Sequence, residues 1–202
     1  MKQFYRTFLV FSTIVLLFSC KQDVKETSTS EAIKTDTLVK KERVIPTQED
    51  KDRANSVLTK LMVTPESKKF TNYLVTAQMT DDLMKNKGPY TVFAPSAEAL
   101  DGLSEETRQD FMKPENKEAL ATMLRQHIVE GGLDSATLVQ KIRENNGSLA
   151  LTTIGGTQLT ASRSGSDIVI THSNGTKAVV GKSDIQGSNG VLHIVDAAFI
   201  QN

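Results

Sequence analysis

The chain changes character at Asn146-Gly147. Upstream, from about Asp52, apolar residues recur at three- and four-residue spacing, as amphipathic helices require. Downstream, short runs rich in Thr, Val, Ile and Leu are separated by Gly-containing turn pairs, as strands require. Helices first and strands last excludes a repeating βαβ protein. The expected class is α+β, with helices in the N-terminal half packed on a β-sandwich or wedge formed mostly by the C-terminal half.

Within the helical half, Val57, Leu58, Leu61 and Met62 form one stripe, stopped at Pro65. Phe70, Tyr73, Leu74 and Ala77 form a second, continuing through Leu83 and Met84 to Gly88-Pro89. Tyr90 to Ala94 is a short strand-like run closed by Pro95. Ser96 and Ser104 are good N-caps, because a serine hydroxyl can accept one of the orphan N–H groups of a first helical turn. Pro114 fits a first helical position, followed by Leu120, Met123, Leu124 and Ile128 on one face. Leu138, Val139 and Ile142 mark a last helix before Asn146-Gly147. Expected strands are Leu149–Thr153, Thr157–Ser162, Asp167–His172, Lys177–Val180 and Val191–Ile200. Their turn pairs are Gly155-Gly156, Gly165-Ser166, Asn174-Gly175 and Asn189-Gly190, the last expected to supply a positive-φ turn into the final strand.

The N-terminus is a different object. Lys2 and Arg6 precede an eleven-residue run, Phe8 to Phe18, broken only by Ser12 and Thr13. That is short for a membrane span, which needs about 20 residues, and right for the apolar region of an export signal. The run ends in Leu17-Phe18-Ser19-Cys20, which resembles the bacterial lipobox, and Cys20 is the single cysteine of the chain. A lone thiol in an exported protein closes no internal disulfide, whereas lipidation would make it a membrane anchor. Lys21 after the cysteine, rather than Asp, implies sorting to the outer membrane. Residues 21–46 carry eleven charges of mixed sign, six Ser/Thr and no aromatic, the composition of a flexible tether. The expected organisation is a signal peptide at 1–19, anchor and tether at 20–52, and one domain at 53–202.

The overall charge is balanced, 24 Lys+Arg against 24 Asp+Glu. A nucleic-acid binder would show a basic excess, so no nucleic-acid partner is expected. One Cys and three His leave no metal site to expect, and no phosphate loop, dinucleotide fingerprint or nucleophile elbow occurs. No cofactor is expected.

Three stretches in order resemble the fasciclin domain. Gly88-Pro89-Tyr90-Thr91-Val92-Phe93-Ala94-Pro95-Ser96 is similar to its first signature. Leu124-Arg125-Gln126-His127-Ile128-Val129-Glu130-Gly131 is similar to its central segment. Asn189-Gly190-Val191-Leu192-His193-Ile194-Val195-Asp196 is similar to its second signature. The resemblance covers about residues 54–200. Gln126 stands where animal adhesion members often carry Tyr, so their integrin-binding reading does not transfer. The resemblance implies cell-surface adhesion through protein or glycan contact.

The signature residues Thr91, Phe93, Pro95, His127, Asn189, Gly190, His193 and Asp196 are expected to be structural. Alternation puts the His193 ring on the opposite face from Leu192 and Ile194. His127 and His193 are expected to be satisfied inside the fold, and His172, near a hairpin, to be solvated. His127 with Glu130 could share a helical face at i, i+3; His193 with Asp196 could not on a strand. Ser188 is expected as a turn residue. Asp36-Thr37-Leu38 and Asp134-Ser135-Ala136 resemble a short O-glycosylation motif of some gram-negative envelope proteins, beside the plainer reading of turn and capping chemistry. The expected function is a non-enzymatic binding module anchored at the cell envelope. Alternatives are a small envelope hydrolase or ligand carrier with a pocket near His127 or His193, or a structural lipoprotein. An exposed ring beside Glu130, Asp196 or Ser188 would favour the hydrolase.

Overall fold

Sequence periodicity becomes architecture in a computed structural model that describes residues 45–85 and 88–200. The expected signal peptide, the tether as far as residue 44, Cys20 and Asp36-Thr37-Leu38 lie outside the described residues. Among the described residues eight α-helices run α1 (Gln48–Ala54), α2 (Val57–Val63), α3 (Lys68–Thr76), α4 (Thr80–Lys85), α5 (Ala97–Asp101), α6 (Glu105–Phe111), α7 (Lys117–Arg125) and α8 (Ser135–Glu144). The same described residues hold eight strands, β1 (Tyr90–Pro95), β2 (Ile128–Glu130), β3 (Ser148–Thr152), β4 (Gln158–Ser164), β5 (Asp167–His172), β6 (Lys177–Val179), β7 (Ile185–Gly187) and β8 (Gly190–Val195). The fold is α+β.

The helices start where a side chain can cap them. Ser56, Ser96, Ser104 and Asp134 accept from the backbone N–H groups of Thr59, Ala99, Thr107 and Thr137. Thr47 and Asp50 cap α1 reciprocally. This helix occupies the end of the stretch read as tether, and none of its residues is buried.

The strands form two four-stranded sheets, β2-β1-β8-β7 and β3-β4-β5-β6. At the centre of the first, β1 and β8 run parallel, with Tyr90 opposite Gly190 and Pro95 opposite Val195. Both faces of this sheet are covered. Val92, Ala94, Leu192 and Ile194 pack against Leu58 and Leu61 of α2, Phe70 and Leu74 of α3, and Leu120 and Leu124 of α7. Phe93 and Val195 face the second sheet, meeting Leu159, Ile170 and Ala178 with Leu138 and Ile142 of α8. Two buried faces explain why β1 and β8 are nearly continuous apolar runs. The second sheet has one buried face, and its strands alternate accordingly: Leu159 and Ala161 on β4, Ile168, Ile170 and His172 on β5.

Several expectations are corrected. The stripe from Phe70 to Met84 is two helices, broken where Gln78 takes φ 58°. Ile128 does not extend α7; it begins β2, pairing with Val92. The last strand stops at Val195, and β7 was not expected. Asn189-Gly190 supplies no positive-φ turn, because neither residue has positive φ. Glycine is needed at 190 for a steric reason. A Cβ there would lie 2.2 Å from the Tyr90 carbonyl oxygen across the parallel pair.

The Asn189 side chain joins three segments. Its Oδ1 accepts from the Val57 N–H at 2.8 Å, at the start of α2, and its Nδ2 donates to the Leu83 carbonyl of α4 at 2.8 Å. Its own carbonyl accepts from the Tyr90 N–H at 2.9 Å. Ser188 adds a hydroxyl bond to the Asp52 carbonyl at 2.6 Å. One hairpin loop thus holds α1, α2, α4 and β1.

Two glycines should respond oppositely to an added Cβ. Gly190→Ala should cost more than about 3 kcal/mol or abolish folding, since backbone must move. Gly102→Ala, at negative φ with its nearest neighbour at 3.4 Å, should lie within about 1 kcal/mol of the parent. Urea unfolding of both variants measures this; a Gly190→Ala protein as stable as Gly102→Ala contradicts it.

Candidate functional site

An imidazole can donate from one nitrogen and accept at the other, and that property decides what the three histidines do. His127 follows α7 and has 0% exposure. The Phe199 N–H reaches its Nε2 at 3.1 Å, so that nitrogen accepts and Nδ1–H donates to the Met123 carbonyl at 3.0 Å. The ring stacks on Phe199 at 4.7 Å and meets Phe70 at 5.6 Å. His193 also has 0% exposure. Its Nε2–H donates to the Leu133 carbonyl at 2.8 Å, its Nδ1 faces the Asp184 N–H at 3.5 Å, and its ring stacks on Phe93.

His172 is buried, contrary to the expectation of a solvated ring. It shares the inward face of β5 with Ile168 and Ile170 and stacks on Phe199 at 5.6 Å. Its Nδ1 accepts from the Asn174 N–H at 3.1 Å, while its buried Nε2 has no partner.

The remaining signature residues hold backbone. The buried Thr91 hydroxyl donates to the Gly131 carbonyl at 2.6 Å and accepts from the Leu133 N–H at 2.9 Å, fixing the loop before α8. Phe93 fills the inter-sheet core. Pro95 ends β1 opposite Val195. Asp196 accepts from the Val179 N–H at 2.6 Å, tying β8 to β6. The expected helical face shared by His127 and Glu130 does not form, because Glu130 ends a strand. Ser188 bonds to the Asp52 carbonyl, away from either ring.

Ser135, Asp184 and His193 do come near one another, yet they do not make a nucleophile and base. The Ser135 hydroxyl and N–H both donate to the Asp184 carboxylate, which caps the start of α8. The His193 ring meets only the Asp184 backbone. Asp134 is the N-cap of that helix. Among the described residues no cluster of His, Cys, Asp and Glu could hold a metal ion.

A surface feature was missed in the sequence. Lys69 and Tyr73 on α3, Asp101 on α5 and Glu105 and Arg108 on α6 line an open cleft of about 400 Å³. The Glu105–Arg108 pair at i, i+3 was a readable signal; the Lys69–Asp101 pair joins separate helices and was not.

Burial pulls the His127 pKa down from 6.5 to about 4, with the Met123 bond opposing and His172 reinforcing the shift. Burial lowers His193 in the same direction. A folded value below the unfolded one means that the unfolded chain takes up protons first as pH falls. This stability is present above about pH 6.5 and is lost between there and about pH 4. Asp134, held low by the bonds from Thr137, loses its contribution only as pH falls through the carboxylate range. Between about pH 7.5 and pH 5, denaturant unfolding should show a loss of about 2 kcal/mol from His127. His127→Gln should be less stable at the higher pH and lose clearly less on acidification; equal losses would contradict the assignment.

The comparisons with known proteins agree with this geometry. Protein sll1483 of Synechocystis is 27% identical over 148 residues, covering 72% of this chain and 75% of that protein. Transforming growth factor-beta-induced protein ig-h3 of Sus scrofa is 31% identical over 126 residues, 62% of this chain but 16% of that protein. The chain therefore spans most of the bacterial relative and a small part of the mammalian one. The solved FAS1 domain pair of the insect cell adhesion molecule Fasciclin I superposes with a TM-score of 0.63 at 19% identity, covering 73% of this chain and 51% of that one. That likeness is one of fold. A family model described as the fasciclin domain matches residues 65–201, well over half of the chain, and with its three signatures gathered around one parallel strand pair, the chain belongs to the fasciclin-domain family.

Proposed function

We propose that the chain is an extracytoplasmic binding module, held at the cell envelope through a lipid on Cys20 and contacting proteins or glycans, without catalysis of its own. The observation that carries this reading is the commitment of His127 and His193 to backbone groups in the interior. Both have 0% exposure, and neither lines the cleft. A general base must reach a substrate proton, and these rings reach only the protein. The hydrolase reading, which needed an exposed ring beside Glu130, Asp196 or Ser188, loses its support.

Family membership adds to this, because the insect protein that shares the fold is a cell adhesion molecule. Fold alone does not fix function, so the site must carry the rest. The N-terminal sequence supports an envelope location: a short apolar run ends in Leu17-Phe18-Ser19-Cys20, and a charged tether follows at 21–46. No helix among the described residues is long and apolar enough to cross a membrane, and a lipid on Cys20 is the attachment this reading requires. Residue 21 as Lys points to an outer-membrane destination.

Two measurements test the proposal together. Cys20→Ser should move the protein from the membrane to the soluble fraction after a carbonate wash; persistence on the membrane contradicts lipid anchoring. A strain lacking the chain, complemented with the anchored protein, should regain adhesion to matrix, polysaccharide or sister cells. Adhesion unchanged by the deletion on all three, together with a hydrolytic turnover lost in a folded His193→Ala protein, contradicts the binding-module reading.

A further inference from the structure

An edge strand presents a row of unpaired backbone groups to any chain that can meet them, and three of the four sheet edges are closed. At β7, α2 lies so near that a Cβ on Gly187 would come within 2.6 Å of the Val57 nitrogen. The β2 edge gives its Ile128 carbonyl to the Ile154 N–H at 2.8 Å. On β6, Val179 donates its N–H to the Asp196 carboxylate at 2.6 Å, and its carbonyl accepts from the Asp196 N–H at 3.2 Å. The exception is β3. Its sequence, Ser-Leu-Ala-Leu-Thr, has no charge and no proline, and it pairs with β4 without a bulge. Only its far end approaches β2, through the Val129–Thr153 bridge. Among the described residues, no side chain bonds to its outward backbone groups.

Backbone groups alternate in direction along an antiparallel strand. The Thr153 N–H donates to the Thr157 carbonyl at 2.9 Å, so Thr153, Leu151 and Leu149 turn their polar backbone toward β4. Ser148, Ala150 and Thr152 turn theirs outward, and the Ser148 N–H is already given to the Asn145 carbonyl at 3.2 Å. What stays open is self-complementary about Ala150. We propose that β3 pairs antiparallel with β3 of a second copy of this chain, Ala150 facing its own counterpart across a two-fold axis. The two Ala150 residues would exchange N–H and C=O, and each Thr152 N–H would reach the partner's Ser148 carbonyl. Period two keeps Leu149 and Leu151 of each copy on their own core. Charge at the two ends agrees with this register. The bridge to Thr153 sets exposed Glu130 beside Thr152, while Lys141 and Arg143 outnumber Glu144 in the last turn of α8, just before Ser148. Antiparallel pairing brings the acidic end of one copy to the basic end of the other. So short an edge buries less than the roughly 1,200 Å² of a stable complex, and the contact relies on the crowding of anchored copies. The assignment rests on the binding-module reading above and names a second copy as its partner.

Thiol crosslinking of the full chain in intact cells tests the pairing. The membrane-permeant reagent should reach about 6 Å, because directly opposed residues on bonded strands lie about 5.5 Å apart. Ala150→Cys is expected to form a dimer with itself. Ser148→Cys and Thr152→Cys should each form none alone, and a mixed dimer when the two are coexpressed. Thr160→Cys, one strand inward on the same face, should stay monomeric, as should the parent chain. All four substituted positions are exposed, so the melting temperatures should match that of the parent. No dimer from Ala150→Cys, self-dimers of Ser148→Cys, or a Thr160→Cys dimer as abundant as that of Ala150→Cys overturns the assignment. Adhesion restored by the anchored chain without any of the expected crosslinks overturns the pairing and leaves the binding module standing. The expected crosslinks, alongside adhesion indifferent to the whole chain, keep the pairing and remove the adhesion role.

Discussion

The parallel pairing of β1 with β8 is the constraint on which the rest depends. The two strands lie about a hundred residues apart in the chain, so their union closes a very long loop before any contact rewards it. The chain meets that demand by making the junction the meeting point of many bonds. Gly190 lets the two backbones approach where a Cβ would collide with the Tyr90 carbonyl. Asn189 then ties the start of α2 to α4, two helices whose Leu58, Leu61 and Leu83 share one core. Once this pair exists, its two faces define both cores. The helices cover one face and the second sheet covers the other.

The histidines extend the same logic to places where regular ladders run out. Each of the three imidazoles accepts a backbone N–H, from Phe199, Asn174 and Asp184. His127 and His193 also donate to carbonyls at the end of α7 and in the loop before α8. A buried backbone group without a partner is costly, and a neutral imidazole satisfies one group of each kind while its ring packs as an aromatic. Phe199 stacks on both His127 and His172, so ring contacts as well as a backbone bond hold the C-terminal segment. Protonation would replace an acceptor with a donor facing an N–H. The interior thus uses histidine to satisfy backbone groups beyond the reach of the ladders.

What the sequence made legible were features set by neighbours in the chain. Ser96, Ser104 and Asp134 cap helices through bonds three residues long. Gly156, Gly165 and Gly175 take the positive φ that their turns require. His193 faces away from Leu192 and Ile194, as period two dictates. What escaped was set by distant contacts. Asn189-Gly190 is the same dipeptide as Asn174-Gly175, but its glycine answers to Tyr90 rather than to turn geometry. The three-residue strands β2 and β7 exist because β1 and β8 offer them edges; Ile128 alone reads as more helix. His172 was readable, since Ile168, Ile170 and His172 share a face at spacing two. The cleft was not, because α3, α5 and α6 bring its charges together only after folding.

His127 and His193 are neutral structural groups with opposite tautomers. Long-range proton–nitrogen NMR of the imidazoles in the full chain measures this directly. An Nδ1–H tautomer is expected for His127 and an Nε2–H tautomer for His193, with His127 unchanged as pH is lowered from about 7 to about 5. Either ring titrating near 6.5 in free exchange with solvent would contradict it, and would return that histidine to the list of groups available for chemistry.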